Sequence, residues 1–241
     1  MIALSPVHND DPALALSPLL RSTLLTLDYI ETNGPIGLTP LKALKRYFVQ
    51  WAAEAFVWPH YTAEDLYYLN KVLNEHDFLP LMVLHDVMLG AKLVRHYKGA
   101  MHSTRLGKEL RANPGKLWAV LTNYLLCVVD HSKYTRHGDQ LVGTWDIFLN
   151  VINVEAHTGV SEERLCSVLF GGEEEEFRRH DYQLAASFYI HVLRPLCWAG
   201  LLEEHRIGKA LEQREVYTKT PLWVAALNLE TDRHLREPTR H

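Results

Sequence analysis

Cysteine is scarce and scattered in this chain. Cys127, Cys166 and Cys197 are its three cysteines; they form no CxxC pair, and each sits among apolar residues. An odd, dispersed set excludes a disulfide framework and predicts three buried thiols. Long hydrophobic runs are missing too: none approaches the roughly 20 residues that cross a bilayer, so no membrane partner is expected. The N-terminus, Met1-Ile-Ala-Leu-Ser-Pro6, lacks a basic, apolar leader, which predicts a cytoplasmic protein. Positive charge is also short. Twenty-five Lys and Arg stand against 29 Asp and Glu, a net −4, so the molecule as a whole is not a basic body that clings to nucleic acid.

Catalytic signatures are absent as well. There is no HExxH, no Cys/His pairing at ligand spacing, no GxSxG elbow and no glycine-rich phosphate loop. The 14 histidines are many for the length. Yet His60 with Glu64, and His137 with Asp139, are isolated pairs, whereas a closed metal site needs three or four ligands. No catalytic residue, metal ligand or cofactor is assigned. An enzyme survives only as a distant third reading, with a site made of dispersed residues between domains.

What the chain does have is well-punctuated helices. Residues 1–16 show no periodicity and read as a loose lead-in. Ser17-Pro18 is an N-cap followed by proline, with Leu20, Leu24, Leu27 and Ile30 at helical spacing and a stop at Asn33-Gly34. Ile36-Gly37-Leu38 fits a single strand. Thr39-Pro40 repeats the cap signature ahead of a stripe of Leu41, Leu44, Phe48, Trp51, Ala55 and Phe56. Thr62 to Asp65 opens a third helix, and Phe78 to Leu89 is a short apolar one stopped by Gly90. Lys92 to Tyr97 and Ala100 to Ser103 form a hairpin across Lys98-Gly99, after which Thr104 and Pro114 start two more helices.

A second set follows. Trp145, Phe148, Leu149 and Ile152 mark one helix, and Val160-Ser161 leads into another with Leu165, Val168 and Leu169. Gly171-Gly172 and Glu173 to Glu176 read as a solvated loop. Asp181 is placed to cap a long apolar helix that Gly200 stops. Leu201 to Ile207, Gly208-Lys209 and Leu211 to Thr218 read as a second hairpin, and Thr220-Pro221 restarts a helix. Gly90 and Gly200, the turns Lys98-Gly99 and Gly208-Lys209, and Thr104 and Thr220 then match at a spacing of about 110 residues.

The expected fold is therefore mainly α, with tandem winged-helix-like domains and small β-hairpin wings. The lead-in spans 1–16, the first domain 17–130, a linker 131–143, the second domain 144–230 and a tail 231–241. One continuous helical domain with two unrelated hairpins is the alternative.

The segments Ile36 to Val49, Asn70 to Pro80, Ala91 to Gly99 and Gly107 to Pro114 resemble an uncharacterised family of bacterial proteins named after a plasmid open reading frame. The resemblance covers residues 17–130, with no counterpart seen for 145–241. It lies in an entry segment followed by a strand-turn-strand-helix exit. The family carries no established activity, so the resemblance implies a winged-helix-like fold and carries over no catalytic residue.

Functional expectation rests on charge placement. Between Lys92 and Lys116 lie Lys92, Arg95, Lys98, Arg105, Lys108, Arg111 and Lys116, opposed only by Glu109. Lys92, Arg95, Lys98, Arg105 and Lys108 are the candidate nucleic-acid-binding residues; they would meet backbone phosphates without reading bases. The alternative is a solvated face beside acidic neighbours such as Glu54, Glu64 and Asp65, or a surface for a partner's acidic groups. The helix from Phe78 to Leu89 offers only His85 and Asp86 for base readout, too few for an operator-binding regulator. The chain is thus read as a non-enzymatic regulatory or adaptor protein. The competing reading is a protein-interaction or self-association module. Tyr67 and Tyr68 are its candidate interface residues, because adjacent helical positions cannot both face one core.

Overall fold

The computed structural model describes residues 2–134, 141, 143–179, 182–207 and 214–236. It is mainly α-helical with two small antiparallel sheets, each of three strands. The chain divides into two compact units, His8–Leu125 and Leu126 onward together with the residues up to Val7. The division falls ahead of the linker expected over 131–143, whose described beginning, His131–Tyr134, is a 3-10 turn with His131 buried.

In the first unit the expected loose lead-in is ordered. Pro12–Leu16 is a 3-10 turn capped by Asp11, with Ala13 and Leu14 buried. Ser17 Oγ accepts the Leu20 N–H at 3.2 Å and starts α1 (Pro18–Asn33), and Gly34, at φ 85°, ends it. Strand β1 is Ile36–Gly37. Thr39-Pro40 does not open a helix. The Thr39 N–H donates to the Ala43 carbonyl, Thr39 Oγ1 accepts the Ala43 N–H, Lys42 turns at φ 65°, and Leu41 is 92% exposed. Helix α2 therefore begins only at Arg46 and runs to Phe56. The stripe from Phe48 to Phe56 does pack as expected: Phe48 and Phe56 are fully buried, in a chain of ring contacts through Tyr29, Trp51 and Phe78. Helix α3 (Ala63–Leu69) has the capping box of Thr62 and Asp65, and buries only Leu66.

Helix α4 (Leu79–Gly90) buries Leu81, Val83, Leu84, His85, Val87 and Met88, so packing claims nearly its whole circumference. Its stop is not Gly90. The Lys92 N–H donates to the Leu89 carbonyl and the Leu93 N–H to the Met88 carbonyl, with Lys92 at φ 59°. This is a Schellman ending with lysine in the left-handed position. Gly90 serves another need: a Cβ there would lie 1.8 Å from the Tyr124 hydroxyl. Strands β2 (Val94–Tyr97) and β3 (Ala100–Ser103) pair in register Arg95 with His102 and His96 with Met101; β3 also pairs with β1, Ile36 opposite Met101. Helices α5 (Arg105–Arg111) and α6 (Pro114–Cys127) complete the unit, with Trp118 fully buried on α6.

The second unit begins with α7 (Trp145–Glu155), then β4 (Val160–Ser161), where only a lead-in to a helix was expected. Helix α8 (Glu162–Phe170) follows. Glu174–Arg179 is helix α9 rather than a loop: three glutamates suit its first turn, Arg178 pairs with Glu163 and Glu175, and Phe177 is buried. Helical structure then runs from α10 (Tyr182–Phe188) through a π-turn at Tyr189–Leu193 into α11 (Arg194–Ala199). Pro195 lacks the N–H and crowds the carbonyl four residues back, which explains the widened turn. Asp181, the expected cap, lies outside the described residues.

The second sheet has the order β4-β6-β5, matching β1-β3-β2 of the first. Strand β5 is Leu202–Ile207 and β6 is Arg214–Lys219; Gly208, Lys209 and Leu211 lie outside the described residues. Helix α12 (Pro221–Ala226) restarts at the Thr220 cap as expected. The expected tail is held at its start. The Thr231 N–H donates to Asn150 Oδ1 ahead of α13 (Asp232–Arg236).

Candidate nucleic-acid interface

Hairpin β2–β3 turns through Lys98 at φ 48° and Gly99 at φ 73°. Positive φ at both central residues fits a type I′ turn, whose twist suits paired strands. The alternation of side chains then sorts the hairpin into two faces. Arg95, Tyr97 and the cross-strand His102 point outward. Val94, His96 and Met101 point to the core.

On the outer face Tyr97 is 49% exposed. Arg95 Cζ lies 5.6 Å and Lys98 Nζ 5.3 Å from its ring centroid, and His102 meets the ring edge-on at 5.9 Å. Lys92 and Arg105 are exposed at the base of the hairpin, joined through Thr104, whose Oγ1 donates to the Lys92 carbonyl at 2.7 Å. Arg95, Lys98, Lys92 and Arg105 form no ion pair among the described residues. Lys108 is different. Its Nζ lies 3.1 Å from Glu31 of α1, and Arg111 pairs with Asp28 at 2.6 Å. Bonds from Ser103 and then Lys108 hold the Glu31 carboxyl below its usual range. The seven-cation run therefore separates into Lys92, Arg95, Lys98 and Arg105, open on the hairpin and at its base, and Lys108 and Arg111, neutralised further along α5; Lys116 lies apart on α6.

The inner face holds an arrangement that composition and spacing did not disclose. Glu75 and His85 are each 6% exposed. Glu75 Oε2 accepts the Leu44 N–H at 2.6 Å, and Oε1 lies 2.6 Å from His85 Nδ1. His85 Nε2 is in turn 2.8 Å from Nε2 of His96 on β2. Burial first, then repulsion by His85 and Lys42, holds the His96 pKa below its ordinary value. The available signal was a lone histidine in the apolar run of α4, where a buried imidazole demands a partner.

Among the described residues the second hairpin offers no comparable surface. Arg206 pairs with Glu204 at 3.4 Å, and the Lys219 ammonium donates to the Asn153 carbonyl at 2.7 Å. Among the described residues no group of three or more His, Cys, Asp or Glu is arranged to hold a metal. His60 and Glu64 join no such group; His137 and Asp139 lie outside the described residues. The expectation of three buried thiols fails at Cys127, which is exposed, and holds at Cys166, whose thiol burial pushes up to about 12; Cys197 is a half-buried residue whose thiol burial also pushes up. On α3, Tyr68 is 87% and Tyr67 39% exposed, with Leu69 beside them at 80%. No helix among the described residues is long and apolar enough to cross a membrane.

A family model described as the Y4jL N-terminal domain matches residues 15–116, and one described as the y4jL C-terminal domain matches residues 135–221. The "Uncharacterized protein y4jL" of Sinorhizobium fredii is 38% identical over 165 residues, which cover 68% of this chain and 75% of that protein. The chain belongs to the Y4jL family. Membership extends through most of the second unit, which corrects the expectation that residues 145–241 lack a counterpart. The basic hairpin lies wholly inside the Y4jL N-terminal match. No solved structure matches the chain.

Proposed function

We propose that each unit is a winged helix and that the first one meets the backbone of nucleic acid through its wing, hairpin β2–β3, without reading sequence. The strand orders β1-β3-β2 and β4-β6-β5, each with helices between the first strand and the hairpin, support the winged-helix reading. Helix α4 holds the place of the groove-reading helix in such folds. Its side chains are committed to packing, so little remains for base edges.

The observation that carries the proposal is the pair Arg95 and Lys98 flanking the exposed ring of Tyr97 with no carboxylate against them. Cations beside one exposed aromatic ring suit backbone phosphate, and the ring offers stacking for an unpaired base. Lys92 and Arg105 extend the contact at the base of the wing. Lys108 is left out because Glu31 occupies it.

Anisotropy titrations of labelled generic duplex and single-stranded DNA over a salt series test this. Affinity is expected to fall steeply with salt, and the log–log slope to shrink by about one for each of Arg95→Ala and Lys98→Ala. Lys108→Ala is expected to change the slope far less. Absence of binding at low salt refutes the reading.

Exposed Tyr67, Tyr68 and Leu69 on α3 favour a second reading, self-association through that helix. Sedimentation equilibrium of the full chain and of Tyr68→Ser decides it; a monomer at all concentrations ends it.

A further inference from the structure

Glu75, His85 and His96 reach one another from three elements: the turn ahead of α4, the middle of α4, and wing strand β2. Proton counting shows what the three can do together. A gap of 2.8 Å between the two Nε2 atoms has room for one hydrogen. With Glu75 ionised, His85 donates its Nδ1–H to the carboxylate and presents a bare Nε2. The Nε2–H of His96 fills the gap, leaving His96 Nδ1 as the open acceptor.

A first added proton settles on His96 Nδ1. The contact survives, now assisted by charge. A second must go to His85 Nε2. Two N–H groups then confront each other, and two imidazolium ions share one carboxylate. The bond has to open. Helix α4 is pinned by its buried side chains, so the element free to give way is the strand carrying His96 between Arg95 and Tyr97.

We propose that Glu75, His85 and His96 form a proton-counting clamp that ties the hairpin to α4 and lets it go when both imidazoles are charged. The groups facing His96 are His85 and Asp86 on α4, Glu75 in the preceding turn and Lys42 in the loop after β1. Lys42 and His85 oppose its charging, as does burial; Glu75 and Asp86 favour it. Because the folded value of His96 is lowered, the unfolded chain takes its proton first as pH falls. The part that His96 contributes is therefore complete at neutral pH and declines below the ordinary imidazole range, while the contact itself opens only with the second proton. This inference concerns the fold and stands whether or not the wing binds nucleic acid.

The test is amide hydrogen exchange on the full chain, without nucleic acid, from pH 7.5 to about 4.5, expressed as protection factors. Protection across Val94 to Tyr97 is expected to fall at least tenfold on acidification while amides of α1 and α6 keep theirs. His96→Gln retains an N–H donor for His85 but cannot be charged, and is expected to keep the hairpin protected. An equal fall in the variant, or no fall in the native chain, overturns the clamp. Imidazole 15N spectra of the native chain give an independent check needing no variant. At neutral pH one Nε2 of the pair must be protonated and the other bare; two alike refute the shared proton.

Discussion

Thr220 repeats the bonds of Thr104. Each hydroxyl donates to two successive carbonyls at the end of the helix before its hairpin: Lys92 and Leu93 at 2.7 and 3.1 Å for Thr104, Gly200 and Leu201 at 2.6 and 3.2 Å for Thr220. Each backbone N–H donates to the second of those residues, and each hydroxyl accepts an N–H from the helix that follows. One side chain thus closes the base of the hairpin and starts the next helix. Thr104→Val and Thr220→Val, nearly isosteric, are expected to cost about 1–2 kcal/mol each, and Thr→Ser much less. Urea unfolding checks both. A loss below about 0.5 kcal/mol at either site would show that water replaces the hydroxyl there.

The same superposition of bonds makes Lys92, not Gly90, the counterpart of Gly200. Both take the left-handed position of a Schellman ending, at φ 59° and 81°. A lysine there bears a strain that glycine escapes, on the order of 1 kcal/mol, partly offset by glycine's freer unfolded chain. Lys92→Gly is expected to raise the unfolding free energy by roughly 0.5 kcal/mol while weakening any polyanion contact. Gly200→Ala is expected to lower it by about 1 kcal/mol. Opposite signs at equivalent positions are the diagnostic result, read from paired thermal and urea transitions.

Features fixed within four or five residues were legible in the sequence. The caps at Ser17, Thr62, Thr104 and Thr220 and the Lys98-Gly99 turn each depend on neighbours in the chain, and all stand where the pattern put them. Features needing a distant partner were not. Thr39-Pro40 has the letters of a helix start, yet Leu38 bridges to Leu44 and the Leu44 N–H is taken by Glu75, so the segment folds as a turn. The basic run looked uniform because Glu31 and Asp28, which neutralise Lys108 and Arg111, lie about 80 residues earlier. Glu75, His85 and His96 were invisible as a unit for the same reason. The three residues lie on three different elements, so no single helical or strand period links them.

Asn153 is the polar hub of the second unit, 1% exposed. Its Oδ1 accepts the Trp223 indole N–H at 3.1 Å and the Lys219 ammonium at 3.0 Å, while Nδ2 donates to Thr231 at 2.9 Å and Asp232 at 2.8 Å. Asn153→Ala strips partners from four groups at once. The expected loss is roughly 2–4 kcal/mol, more than the volume change alone implies. Asn153→Asp keeps the acceptor but sets a carboxylate against Asp232, so it should fare no better at neutral pH. Circular dichroism melts check both variants, and a tolerated alanine would show the hub to be dispensable.

Glu162, the first residue of α8, has its pKa raised to about 8, by burial first and then by Glu163, Glu215 and Glu204. The folded unit therefore holds a proton that the unfolded chain releases near the ordinary value of about 4.3. Above that value the native state binds more protons than the unfolded state, so stability declines as pH rises and levels off past about 8. The decline between pH 5 and 8 is expected to be roughly 2–4 kcal/mol for the second unit. Glu162→Gln mimics the protonated acid and removes the slope, leaving the variant more stable than the native chain at pH 8 and nearly equal to it at pH 5. Urea midpoints at both pH values test this; a native chain that gains stability toward pH 8, with the glutamine variant following in parallel, would place the titration elsewhere.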